Sequence, residues 1–314
     1  MAKKSLARDR IRHASLTLLA LSSSALLAGC QLLPEVEVQP WAVAHHDEKI
    51  AFHKDAGDAL LNLDATAGLA SLKQFQAVGF HHVEATDWRV HLEYQSSVDG
   101  EGFVSKFSSS KTGYSFDQSH QAGSGDTYYL LGDELKKQAS NGKSWVQVPI
   151  GDLGRMQDPQ RACNLFAVAF SCNLIEAWNI TRESMKSVPV KLATSETGEQ
   201  HFTTAVSIGA LDEAGLKVRS SNNQGLDASL PDDTLVPFHI WVNEDGIINK
   251  MEVNGVAEDS SGGQVKLQIG FEITSFNASS ELVPVDPGKI PPKDLYQITT
   301  PEQLKQFVER LHSA

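Results

Sequence analysis

The chain is 314 residues long, 41% hydrophobic and 21% charged, with 39 acidic against 27 basic side chains and a formal net charge of −12. So acidic a balance argues against nucleic acid, whose phosphates are met by clustered Lys and Arg, and against electrostatic docking on anionic lipid. The length allows one large domain or two small ones, and no repeat of fixed period divides it.

The first twelve residues carry Lys3, Lys4, Arg8, Arg10 and Arg12 against the single acid Asp9, and the stretch from Ala14 to Ala28 then runs without a charge. A basic head followed by so short an apolar run is the pattern of an export signal, since a membrane-spanning helix needs about 20 apolar residues. The run ends small, at Ala28-Gly29, and the next residue is Cys30. Leu27-Ala28-Gly29-Cys30 resembles a bacterial lipobox. The resemblance implies cleavage before Cys30, a diacylglycerol on its sulfur and acylation of the new amine with palmitate-type chains. Loss of residues 1–29 removes five basic residues and one acid, leaving a net charge of −16. The expected location is therefore outside the cytoplasm, lipid-anchored to the outer face of the cell membrane or to the periplasmic side of an envelope membrane. Each buried methylene contributes about 0.8 kcal/mol, so two or three acyl chains hold where one does not. No second apolar run is long enough to span a bilayer.

Two further cysteines, Cys163 and Cys172, stand nine residues apart. On one straight helix that spacing separates them by about 13.5 Å along the axis. A disulfide tolerates a Cα separation of only about 7 Å. A bridge therefore requires the segment to bend back on itself, and two buried free thiols are the alternative. An even pair in an exported protein favours the bridge. No His stands at ligand spacing beside either cysteine, which argues against a metal.

Residues 31–44, with Pro34 and Pro40, read as an extended tether. Steps of three and four through Ile50, Lys54, Gly57, Leu60, Leu61, Leu69, Leu72 and Phe75 predict one kinked helix or two short ones over 46–77. From Gly79 the period becomes two. Trp88, Val90, Leu92 and Tyr94 alternate with Arg89, His91 and Glu93 as a half-buried strand. Short strands follow at 103–107, 114–116, 127–131 and 144–148, with a turn and a rising segment at 132–138. Asp158-Pro159 predicts a helix start, running through Phe166 and Phe170, broken near Cys172 and resuming over 174–178. Strands are expected at 202–208 and, weakly, at 216–219. Phe238–Val242 and Ile247–Val253 predict a hairpin across Asn243-Glu244-Asp245-Gly246, and 263–276 is the longest strand. The prolines at 284, 287, 291 and 292 make a stiff connector. Thr300-Pro301-Glu302-Gln303 then reads as a capping box opening a helix with Leu304, Phe307, Val308 and Leu311 on one stripe.

Nine to eleven antiparallel strands with few helices make an α+β fold. Three helical segments are a thin cover for so many strands. A large antiparallel sheet curled into a half-barrel, with helices on its concave side, leaves apolar space between the layers; a fully packed core is the alternative. The candidate lining residues are the apolar strand faces: Trp88, Val90, Leu92, Tyr94, Leu267, Ile269 and Phe271.

The lipobox, the meander with Trp145-Val146-Gln147-Val148-Pro149, the proline-started helical insert, the hairpin at Trp241–Gly246 and the long strand running to Ser275-Phe276-Asn277 and Val283-Pro284 resemble, in that order, the LprG/LppX lipoproteins of actinobacteria. That family has a LolA/LolB-like fold. The likeness is most specific over 237–284 and looser over about 47–290. It implies a half-barrel whose apolar cavity takes acyl chains of lipids or lipoproteins. The implied organisation is a signal peptide at 1–29, a lipidated tether at 30–45, the half-barrel at 46–285, and a connector with a terminal helix at 286–314.

Catalytic motifs are not legible. Asp232-Asp233 reads as a turn, and no Gly-x-Ser-x-Gly elbow or phosphate loop is present. Neighbours on a strand point to opposite faces, so His81-His82 cannot chelate alone, and His91 joins either only by cross-strand pairing. The expectation is a non-enzymatic, membrane-anchored protein without a cofactor. It binds an acyl lipid or another apolar ligand, for lipid or lipoprotein transport and cell-envelope maintenance. The alternative is an envelope sensor or scaffold binding a protein partner, with the connector and helix 300–313 as the docking element.

Overall fold

The computed structural model describes residues 54–63, 68, 72–86, 89–110, 113–149, 166–185, 188–218, 230–259, 262–277 and 282–312. Contacts divide the chain into Met1–Lys49 and Ile50–Ala314, and the fold is that of the second unit. The export signal, Cys30, the tether, Trp88 and Cys163 lie outside the described residues.

Residues 54–61 are helical. Strand β1 (Gln74–Glu84) then opens a meander of β2 (Arg89–Asp99), β3 (Gly102–Ser109), β4 (Ser115–His120), β5 (Asp126–Leu131), helix α1 (Asp133–Ala139) and β6 (Trp145–Pro149). Helix α2 (Phe166–Ser184) carries the chain to the far edge. There β7 (Lys191–Thr194), β8 (Gln200–Ser207), the short helix α3 (Ile208–Glu213), β9 (Leu235–Val242), β10 (Ile248–Glu258) and β11 (Gln264–Phe276) lead back inward. The tail forms β12 (Leu295–Gln297) and α4 (Pro301–His312). The twelve strands among the described residues join one sheet, ordered β12-β6-β5-β4-β3-β2-β1-β11-β10-β9-β8-β7. Every described pairing is antiparallel except that of β12 with β6. The expected α+β class, a large and almost wholly antiparallel sheet with helices on one side, is the one found.

Side-chain alternation makes one face of this sheet apolar. The register places Leu131, Phe116, Phe107, Tyr94, Gly79, Phe271, Met251, Ile240, Phe202 and Leu192 directly opposite one another, one from each of ten consecutive strands. A single transverse row thus crosses the floor with no polar side chain except the Tyr94 phenol. Two helical covers lie on it. Helix α2 buries Ala167, Phe170, Ser171, Leu174, Ala177, Trp178 and Thr181, a three-four spacing, over β1, β2, β8 and β11. Helices α1 and α4 pack on each other over the β3–β6 half, where Leu135, Phe307 and Leu311 join Phe107, Phe116, Tyr129 and Val146. Tyr94 packs against both cores.

Several expectations change. Residues 74–77 begin β1 rather than end a helix, because Phe75, Ala77, His81 and Val83 alternate inward. The segment 133–139 is helical, with Asp133 paired to Lys136 and Glu134 to Lys137. Helix α2 passes through Cys172 unbroken to Ser184. Ile208 starts α3, where Ser207 caps it by accepting from Ala210 N at 3.2 Å, and 216–218 is not a strand.

The tail belongs to the same body. From β11 it runs by the outer face of the sheet, where Val285 N donates to Ser119 Oγ at 2.8 Å. It then pairs with the β6 edge. The capping box forms as expected: Gln303 N donates to Thr300 Oγ1 at 3.3 Å, and Gln303 Oε1 accepts from Thr300 N at 3.2 Å. Arg310 donates to the Gln138 carbonyl and Lys143 to that of Lys293.

Candidate functional site

The floor under α2 is the strongest candidate. Its central residue is Gly79, and it is glycine for a steric reason. A Cβ there would stand 2.9 Å from Phe170 Cδ2 and 3.1 Å from Ala167 Cα. The helix therefore rests directly on the β1 backbone. Of the candidate lining residues, Leu267, Ile269 and Phe271 are fully buried in the core beneath this cover. Val90, Leu92 and Tyr94 on β2 are only half-buried, although Val83 and His81 beside them on β1 and Phe107 on β3 are buried. The cover is thus closed over β1 and β11 and partly open along β2. Burial pushes the Tyr94 phenol well above its ordinary range, so it stays a neutral group there.

His81 is one of the buried polar groups on this floor; unlike Thr204, which accepts from Trp178 Nε1, and Ser96 and Ser105, which pair with each other, it keeps a ring nitrogen without a partner. It lies in one row with Leu92 and Ile269, its direct partners on β2 and β11, and is 6% exposed. Burial first, then the neighbouring His82, push its imidazole down to about 4, against the opposing pull of Asp212 and of a hydrogen bond to the Lys217 backbone. Its Nε2 is buried and has no hydrogen-bond partner. The bond to Lys217 therefore uses Nδ1, and because it favours the protonated ring, it is an N–H donating to the carbonyl. Nε2 is left as an acceptor.

The histidine doublet separates as strand geometry requires. His82 looks out from the opposite face, and the cross-strand pairing brings it to His91, with ring centroids 4.6 Å apart and Glu93 Oε1 3.7 Å from His82 Nε2. Among the described residues, no group of three or more His, Cys, Asp or Glu could hold a metal ion. The same outer face carries a second cluster. His201 stacks on Trp241 at 4.6 Å, and His201 Nε2 lies 3.1 Å from His239 Nδ1. Lys250 bridges Trp241, Glu252 and Glu272. These contacts tie β8 through β11 together.

A cleft of about 350 Å³ opens on the outer face between the sheet and the strap 282–285, lined by Val104, Lys106, Asp117, Ser119, Trp145, Leu282, Val283 and Val285. Burial raises the Asp117 carboxyl, partly offset by Lys106 across the strand pair. This cleft is absent from the sequence-based expectations, because its walls lie far apart in the chain and meet only through the tail. Cys172 stands half-buried on α2; its pairing with Cys163 falls outside the described residues. Among the described residues no helix is long and apolar enough to cross a membrane.

No family model matches the chain, and no curated protein matches it. Similar solved structures include a chain of the Pseudomonas aeruginosa MucA/MucB complex, 14% identical over 72% of this chain and 59% of that one, with a TM-score of 0.26. A chain of MucB in complex with MucA(peri) is 11% identical over 76% of this chain and 63% of that one, with a TM-score of 0.24. A DUF1329 family protein from Desulfovibrio piger ATCC 29098 is 8% identical over 73% of this chain and 95% of that one, with a TM-score of 0.22. The chain thus spans about three fifths of the two MucB-complex chains.

Proposed function

We propose that this is a non-enzymatic envelope lipoprotein, anchored through Cys30, that takes an acyl lipid or a lipoprotein acyl chain onto the floor beneath α2. The observation that carries the proposal is the ten-strand apolar row with its incomplete cover along β2. Val90, Leu92 and Tyr94 are the entrance, and a chain passing them displaces α2 from Leu267, Ile269 and Phe271. The driving force is transfer of apolar area at about 25 cal/mol per Å², which is non-directional and tolerates several lipids. Membership of the LprG/LppX lipoproteins, a role in lipid transport and the outer-face location form part of this proposal. They rest on the order of elements and on the lipobox. Native mass spectrometry of the full chain released from lipid nanodiscs tests it. An adduct of acyl-lipid mass beyond the covalent anchor is expected, and a folded protein that never carries one refutes carriage.

A second reading is partner binding, and the outer cleft favours it. Val283 on the strap is 74% exposed beside that cleft, whereas α4, the expected docking helix, buries Phe307 and Leu311 on its own sheet. A photo-reactive residue at Val283 then captures one specific envelope protein in cells; uniform, non-specific capture counts against it.

A further inference from the structure

An apolar floor does not need a histidine, and a buried acceptor without a donor is costly. His81 has the Lys217 backbone beside its ring, faces the α2 cover at Phe170 with ring centroids 6.4 Å apart, and sits one strand in from the half-open Leu92. Its Nε2 has no partner in the ligand-free protein. We propose that the ligand of this floor carries a hydrogen-bond donor, a hydroxyl or an amide N–H, and that His81 Nε2 accepts it. This deepens the lipid-binding reading and rests on it. The apolar row supplies affinity without selectivity, and His81 supplies the selectivity, favouring a chain with a donor over a chain of equal length without one. The ring is an acceptor and not a cation, so carboxylate is not the group it selects.

The test uses the full chain in phospholipid nanodiscs and three radiolabelled probes: 1-dodecanol, dodecanamide and dodecyl methyl ether. Retention beyond that of empty nanodiscs is measured. The alcohol, the amide or both are expected to bind about tenfold more tightly than the ether, the size of one buried hydrogen bond. Whichever of the two is tighter identifies the source of the donor. His81→Leu brings alcohol and amide binding down to that of the ether; His81→Gln, which retains an acceptor, restores part of the preference. If the leucine variant does not fold, the glutamine variant against wild type decides. Equal binding of all three probes to the wild type overturns the role of His81 while leaving the lipid-binding reading standing. Retention of none of them overturns that reading itself.

Discussion

Phe170 of α2 rests on Gly79 of β1 so closely that a methyl group at residue 79 would stand 2.9 Å from the phenyl ring. The contact falls at the middle of the apolar row and sets how near the helical cover lies to the sheet. Gly79→Val forces α2 outward or strains β1. Overpacking of this kind costs about 1–3 kcal/mol. A lower urea midpoint with an unchanged slope is the expected result, and an unchanged midpoint would show that the cover does not depend on this contact.

His81 makes stability depend on pH. Its imidazole takes a proton near 4 in the fold and near 6.5 when unfolded. Between those values the unfolded chain binds more protons, so stability falls as pH drops from about 6.5 towards 4 and levels off below. The full loss is on the order of 3 kcal/mol. His201, also shifted down by burial and by His239, adds a smaller slope of the same sign. Denaturation of wild type and His81→Leu at several pH values isolates the first contribution. The variant curve should be flatter in that window, and parallel curves would mean that His81 does not titrate as its burial implies.

Phe307 joins the tail to the second core. It is 2% exposed and meets Tyr129 edge-on, with centroids 5.1 Å apart and rings at 78°. Phe307→Ala opens a cavity between α4 and the sheet, with a cost of about 3–5 kcal/mol. Thermal unfolding should shift down accordingly. A tail that merely docks partners would leave the melting temperature unchanged.

Cys30→Ala removes the proposed acylation site. Incorporation of labelled palmitate should vanish and the protein should leave the membrane fraction; among the described residues no helix is long and apolar enough to cross a membrane. Continued membrane association would place the anchor elsewhere.

Reduction tests the remaining pair. Cys172 lies inside α2, so any bend that brings Cys163 to it must precede Phe166. Thiol alkylation of the folded, then denatured, chain should label Cys163 and Cys172 only after a reductant is added. Labelling without reductant would favour two buried thiols.

Elements with a local signature were legible from the residues. The β9–β10 hairpin follows from Asn243–Gly246, where Gly246 takes a φ of 78° and Asn243 Oδ1 accepts from Ile247 N at 2.8 Å. The start of α4 follows from Thr300 and Gln303, and β11 from the alternation of Val265, Leu267, Ile269, Phe271 and Ile273. β1 was hidden, because its inward set includes Gly79 and His81 and the Leu69, Leu72, Phe75 spacing imitates a helix. Helix α1 was hidden because only Leu135 and Ala139 of its seven residues are buried.

By itself, then, the chain determined the α+β class and which residues are apolar at period two. Those properties depend on neighbours a few positions apart. Only the tertiary structure decided that Phe75 meets Phe276, that Phe170 closes on Gly79, that β2 is left half-covered and that His81 faces inward without a partner for Nε2. Each of these joins residues distant in sequence. Which strands pair and where a helix settles is decided by the whole set of apolar surfaces competing for burial, not by any one segment.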